Sequence, residues 1–370
     1  MRIICFTESL AAGGAQRQLV NLAVLFAKKG HNVDFLVYRN ESFFLPILQE
    51  AGISVHIIKG EKHFYRLFKC RQYIRSHNVD VVLSFLETPD FISCFSAFGR
   101  HRWRVVTTEL SAKESTFIGK KNKIYVLFRR VADQIVCNSE NARQMWEQYC
   151  PQYRNKLSTI YNPVMIPNDC VKLRKAQNLK RRIVVPSSYQ YIKNPIRLIE
   201  AVRRLPNDIR EKLQIEWYGK TEATQGNTAA YDDAQKLVTQ YNLGDTVHLY
   251  PETTRIYNLI SEADAVGLFS TVEGLPNAIC EGMMLGKPIL MTKISDYKVF
   301  SGEDGVFFCD AENTESITHA LCSFVNTSDS ILVEMGEGNR RLAEKLFDGE
   351  RIVNQWEELF SDLVNRGNNA

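Results

Sequence analysis

Apolar residues recur along this chain in two rhythms. Short unbroken runs such as Ile3-Ile4-Cys5-Phe6, Val81-Val82-Leu83, Ile183-Val184-Val185 and Ile289-Leu290-Met291 read as strands buried on both faces. Between them apolar positions return every three or four residues, as at Leu19, Leu22, Ala23 and Phe26, which is one face of a helix. The alternation predicts strands over 2–6, 33–37, 53–57, 79–84, 104–107, 134–137 and 156–160. A second series is predicted over 183–185, 213–218, 246–249, 265–269, 289–291 and 305–308. Helices are expected between them, among them 15–29, 195–204 and 229–241, and three close the chain at 314–325, 331–347 and 350–363. Strand and helix alternating in this way give an α/β chain with two doubly wound parallel sheets.

The rhythm breaks at Asn162-Pro163 and Pro167-Asn168-Asp169, and residues 173–182 are polar and basic. A linker is therefore expected at 166–182, between domains at 1–165 and 183–349, with 350–370 as a separate terminal helix. A length of 370 residues suits two cores rather than one.

Charge changes the picture more than composition does. The net charge is +4, yet residues 1–180 hold 27 Lys and Arg against 14 Asp and Glu, and the remainder holds 19 against 28. The basic excess gathers at 59–75, at Arg100-His101-Arg102-Trp103-Arg104 and at 120–131, which suggests an anionic surface as partner. Each cluster alone also fits a solvated helix face. Nucleic acid is disfavoured because the aromatics there read as apolar faces rather than as a stacking strip. Nine scattered cysteines contain no Cys-x-x-Cys, which argues against a zinc site or a disulfide framework and for reduced thiols in the cytoplasm. Residues 1–6 are too short an apolar start for a signal peptide, and no run approaches the ~20 apolar residues of a membrane span. Peripheral attachment at the inner face of a membrane is the expected location.

Candidate chemistry is densest at Leu268-Phe269-Ser270-Thr271-Val272-Glu273-Gly274-Leu275-Pro276-Asn277-Ala278-Ile279-Cys280-Glu281. A strand runs into a polar turn and a helix is expected to start at Pro276, where a missing N–H costs nothing. Glu273 then sits beside a helix N-terminus, which attracts a diphosphate, and Glu281 lies inside the helix. A carboxylate accepts from both hydroxyls of a vicinal diol, so the pair suits a sugar nucleotide. By spacing alone, two surface glutamates would read the same. Gly13-Gly14 permits a tight turn or a close backbone approach, and without Gly-x-Gly-x-x-Gly a dinucleotide cofactor is disfavoured.

The string from Glu273 to Glu281, followed by Gly286-Lys287-Pro288, resembles the E-x7-E segment of the retaining glycosyltransferases of family 4. Gly13-Gly14-Ala15-Gln16-Arg17, Val136-Cys137-Asn138-Ser139 and Ile160-Tyr161-Asn162-Pro163 extend the resemblance over nearly the whole chain. It implies the GT-B fold, two Rossmann-like domains facing a cleft, with the acceptor on the first, the nucleotide sugar on the second and the last helix crossing back. It gives Glu281 to the ribose hydroxyls, Glu273 to the donor sugar, and the amides of Gly274, Leu275 and Asn277 to sugar and diphosphate. Lys193, followed by Asn194, matches the lysine that holds the departing diphosphate. The arginine that usually accompanies it falls on Ser188. Glu109 stands where the family usually has a histidine, and is expected to align sugar or acceptor. Gly13, Gly14 and Gln16 would lie across from the diphosphate, and Tyr250 with Pro251 would line the base pocket.

The resemblance thus implies a retaining transferase, without metal or cofactor, that moves a sugar from a nucleoside diphosphate, UDP rather than GDP, to a glycan or lipid-linked hydroxyl. The absence of Asp-x-Asp at a strand end agrees with a metal-free leaving group. A sugar-nucleotide epimerase, or an inactive member that binds nucleotide sugar or a partner enzyme, are the alternatives.

Overall fold

The computed structural model describes residues 1–60, 63–111, 113–167, 180–224, 226–300 and 305–368. The chain divides into two compact units, Met1–Pro163 with Phe347–Ala370, and Val164–Leu346. Of the expected linker, 168–179 lie outside the described residues. Its last two residues are not linker. Arg181 and Arg182 open a strand, where the Arg182 guanidinium is held by Glu216 at 2.7 Å and its main-chain N–H by Asp264.

The first unit is built on β1 (Arg2–Phe6), β2 (Asn32–Val37), β3 (Ser54–Ile57), β4 (Val81–Ser84), β5 (Arg104–Glu109), β6 (Gln134–Cys137) and β7 (Leu157–Thr159). They lie in the order β3-β2-β1-β4-β5-β6-β7, every pair parallel. Ile3, Ile4, Cys5 and Phe6, like Val81, Val82 and Leu83, are almost inaccessible, which is why these runs do not alternate with polar residues. Helix Gly14–Lys28 turns Leu19, Leu22, Ala23 and Phe26 inward. The terminal helix runs Gly349–Asn368, longer than its apolar pattern. It belongs to this unit: Phe360 packs on Phe26 with ring centres 5.5 Å apart, and Glu357 meets His31 Nε2 at 2.6 Å.

The second unit carries β8 (Arg181–Pro186), β9 (Leu213–Tyr218), β10 (Val247–Tyr250), β11 (Ala265–Leu268), β12 (Ile289–Thr292) and β13 (Val306–Cys309). The order is β10-β9-β8-β11-β12-β13, again all parallel. Ile183, Val185, Leu213, Ile215, Trp217 and Leu290 form one core with Leu198, Val202, Leu321 and Phe324 from flanking helices. Each sheet reverses its winding direction beside its first strand, between β1 and β4 and between β8 and β11. In open α/β sheets that reversal leaves a crevice beyond the strands' carboxyl ends.

Candidate active site

Beyond β8 and β11 the second unit brings a lysine and a glutamate together. After β8 the chain makes a single 3-10 turn, Tyr191–Lys193, and Asn194 takes a left-handed conformation, φ 67°, before Pro195 opens helix Pro195–Arg203. Asparagine is among the few side chains that tolerate that conformation. The turn is tied to the loop after β11, because Thr271 donates to the Ile192 carbonyl from both its N–H (2.8 Å) and its hydroxyl (3.2 Å). That tie brings Lys193 Nζ to 2.5 Å from Glu273 Oε1 across 80 residues of sequence. Ser270 Oγ donates to the same oxygen at 2.7 Å. From the other side, Thr292 Oγ1 donates to the Ser270 carbonyl (2.6 Å) and Ser295 Oγ to that of Gly274. The turn carrying Glu273 is therefore fixed at both ends before any ligand arrives.

Helix Asn277–Met284 follows, and Pro276 is its N-cap rather than its first helical residue, with ψ 80°. The expectation missed by one position because proline suits both places sterically. Glu281 lies one turn into the helix and is 3% exposed. Gly282 lets that helix close on β11: a Cβ there would stand 2.7 Å from Val266 Cγ2. Of the other expected donor residues, Gly274 and Leu275 are buried, and Ser188 Oγ accepts from Gln190 Nε2. Asn194 is 6% exposed and its amide donates to the Ala311 carbonyl, so its side chain serves the loop after β13. Tyr250 stacks on Tyr218, centres 4.8 Å apart, and edges an open groove of about 960 Å³ with Asp232, Lys236 and His248; Pro251 is exposed beside it. Sequence reasoning missed Ser270, Thr271, Thr292 and Ser295. The first two stand within the stretch it singled out, whereas nothing in the sequence marks Ser295.

In the first unit, Gly13 is the extended N-cap of the helix that begins at Gly14, and the side chain of Gln16 folds back against it. Glu109 stands at the end of β5, as its sequence position implies, and is enclosed there. It is 6% exposed, and both oxygens are engaged: Oε1 accepts from the N–H and hydroxyl of Ser111 (3.1 and 3.0 Å), Oε2 from Trp146 Nε1 (2.9 Å). Arg129 Nη2 lies 3.9 Å from Oε2 and 2.8 Å from Asp90 Oδ2, while Ser84 Oγ donates to Asp90 Oδ1. Two carboxylates thus share one buried guanidinium. Burial pushes the Asp90 carboxyl up to about 7, against the opposing pull of Arg129. Among the described residues no group of three or more His, Cys, Asp or Glu is arranged to hold a metal.

These two halves match two family models. Residues 12–166 match the one described as Glycosyltransferase Family 4, and residues 172–341 the one described as Glycosyl transferases group 1. The chain belongs to the group 1, family 4 glycosyltransferases. It is 23% identical over 359 residues to an uncharacterized glycosyltransferase of Haemophilus influenzae, covering 94% of this chain and 96% of that one. Over 292 residues it is 23% identical to a Campylobacter jejuni enzyme, GalNAc-alpha-(1->4)-GalNAc-alpha-(1->3)-diNAcBac-PP-undecaprenol alpha-1,4-N-acetyl-D-galactosaminyltransferase, covering 76% of this chain and 77% of that one. The crystal structure of Anabaena HepE in complex with UDP-glucose superposes with a TM-score of 0.84 at 18% identity, over 98% of this chain and 100% of that one. At that identity the likeness establishes the fold, GT-B, for this glycosyltransferase.

Proposed function

We propose that this glycosyltransferase is a retaining, metal-independent enzyme that moves a sugar from a UDP-sugar to a hydroxyl of a lipid-linked glycan. The observation that carries the reading is the Lys193–Glu273–Ser270 constellation beside the helix that bears Glu281. Helix N–H groups and a fixed ammonium suit a diphosphate, and Glu281 suits a ribose diol. As the anomeric carbon–oxygen bond breaks, negative charge grows on the departing diphosphate, and Lys193 stabilises it. The acceptor oxygen attacks from the face the diphosphate leaves, and the acceptor's proton passes to a departing phosphate oxygen. Glu273 orients the sugar and holds Lys193 in place. The complex of HepE with UDP-glucose supports a UDP donor, and the PP-undecaprenol in the name of the Campylobacter enzyme supports an acceptor carried on a lipid. A lipid acceptor also accounts for the basic excess of the first 180 residues, as an attraction to an anionic membrane surface.

A thermal-shift screen against UDP, GDP and common UDP- and GDP-sugars, with and without chelator, tests the reading. A shift for one UDP-sugar that survives chelation and is lost in Glu281→Ala is the expected result. A shift only for GDP-sugars, or one that Glu281→Ala leaves intact, would overturn the donor assignment.

A further inference from the structure

Three sequence segments meet on one side of the first unit. Helix His63–Ser76 packs on helix Glu87–Ser96, which packs in turn on helix Lys120–Phe128. The first turns Leu67, Cys70 and Ile74 inward and leaves Phe64 74%, Tyr65 50% and Phe68 58% exposed. The third contains Ile124-Tyr125-Val126-Leu127-Phe128 and buries none of its residues; Ile124 is 50% and Leu127 60% exposed. A chain of rings joins the two. Phe68 meets Phe95 at 5.8 Å between centres, Phe95 meets Phe98 at 6.4 Å, and Phe98 meets Phe128 at 5.6 Å. The exposed apolar groups therefore form one surface rather than isolated spots, and a contiguous surface of this kind marks an interaction site.

The same surface is predominantly basic, although Glu87 is exposed at the start of its middle helix. Segments 63–76, 95–104 and 118–130 together hold twelve Lys or Arg and no Asp or Glu. Arg104 is paired with Asp133, and Arg129 is buried against Asp90 and Glu109. Arg71 and Arg75 instead donate to main-chain carbonyls at Phe95, Ser96, Phe98 and Arg100, which leaves their charge uncancelled. Lys69 lies over the Tyr65 ring at 5.7 Å and Lys121 over the Tyr125 ring at 5.2 Å. Lysines beside aromatic rings, with exposed aliphatic side chains among them, are the chemistry of the bilayer interface, where ammonium groups reach phosphates while rings and methyls enter the acyl boundary. The centre of a protein–protein interface is instead depleted of lysine.

We propose that this face docks on an anionic lipid bilayer, with Phe64, Phe68, Ile124 and Leu127 at the acyl boundary and the lysines of both helices among the headgroups. The inference deepens the lipid-linked acceptor reading by assigning it a surface. Its failure is separable, because donor binding belongs to the second unit.

Co-sedimentation with vesicles of phosphatidylcholine alone, or with 30% phosphatidylglycerol, tests it on the full chain. Wild-type protein should bind the anionic vesicles at least tenfold more tightly than the neutral ones at low salt. Lys120→Glu with Lys121→Glu, and separately Phe64→Ser with Leu127→Ser, should each weaken that binding about tenfold, with thermal melting and the UDP-induced shift unchanged. Equal binding to both vesicles, no binding to either, or full binding by both variants would overturn the proposal. Loss of the UDP shift in the wild type, with vesicle binding intact, would instead refute the donor reading and leave this surface standing.

Discussion

If Lys193 grips the departing diphosphate, its present partner competes with the ligand. Lys193 Nζ is 2.5 Å from Glu273 Oε1, and the side chains are 19% and 15% exposed, so the pair is neither freely solvated nor fully desolvated. Replacing Glu273 by Gln removes the competing charge and keeps an oxygen for Ser270 Oγ. Releasing a partly exposed pair of this kind is worth about 0.5–1.5 kcal/mol, so UDP affinity should rise roughly 2- to 10-fold in Glu273→Gln. Sugar transfer should fall by about ten- to a hundredfold in the same variant, because the donor sugar loses its orienting carboxylate. Lys193→Ala should weaken UDP by about 1.5–3 kcal/mol, the usual worth of a hydrogen bond to a charged group.

Calorimetric titration of UDP into the two single variants and the double variant decides the matter. The gain from Glu273→Gln should largely vanish in the Lys193→Ala background, since no ammonium is left to release. An equal gain in both backgrounds would mean that Glu273 merely repels the diphosphate, and an unchanged UDP affinity in Glu273→Gln would refute competition altogether. In either case the coupling of Glu273 to Lys193 would lose its assigned role, and an unchanged UDP affinity in Lys193→Ala would remove that of Lys193 itself.

Three further outcomes follow from the geometry. A Cβ at Gly219 would stand 2.8 Å from Ser188 Cα and closer still to the Ser187 carbonyl, so Gly219→Ala should force β8 and β9 apart, cost about 1–3 kcal/mol and lower the melting temperature by several degrees; an unchanged melting curve would contradict this. Burial holds the Asp90 carboxyl at about 7, above its ordinary value, so between pH 4 and 7 the folded state keeps a proton the unfolded chain has lost. The contribution of Asp90 to stability should therefore decline as pH rises through that window, and Asp90→Asn should flatten the denaturant-measured slope; an identical slope in the variant would refute the assignment. Removal of divalent cations with chelator should leave the transfer rate unchanged, and a loss restored by added magnesium would overturn metal independence.

How much of this was legible beforehand depended on sequence distance. The strands were readable because residues buried on both faces need no alternation, so Ile3 to Phe6 and Ile183 to Val185 announce themselves locally. Glu273 and Glu281 were readable because strand, turn and helix carry them within one short stretch. Arg181 and Arg182 looked like linker because their partners, Glu216, Asp264 and Asp329, are 34 to 148 residues away. The three basic clusters were visible singly. Their union into one face depends on how three helices pack, and the exposure of Phe64 and Leu127 depends on which side of each helix the core claims. Local pattern carries no record of either.

Glu109 shows the same limit at a point where it matters for chemistry. Both sheets leave a crevice beside their first strand, and both place acidic residues at strand ends near it. In the second unit the acid and its lysine are 15% and 19% exposed, so a ligand can take the ammonium's charge. In the first unit the side chains of Asp90, Glu109 and Arg129 are 2%, 7% and 6% exposed, and Trp146 and Ser111 occupy the oxygens of Glu109. A carboxylate so enclosed can meet a sugar hydroxyl only through a lone pair its present donors leave open, or by giving up bonds worth about 1 kcal/mol each. Its geometry suits it to hold the end of β5 against helix Glu140–Tyr149, through Trp146, and the frame it stabilises is the one on which Gly13 and Gln16 also sit. The sequence position of Glu109 speaks for catalysis and its hydrogen bonds speak for support, since Oε1 already accepts two bonds and Oε2, which keeps a lone pair, is enclosed beside Trp146 and Arg129.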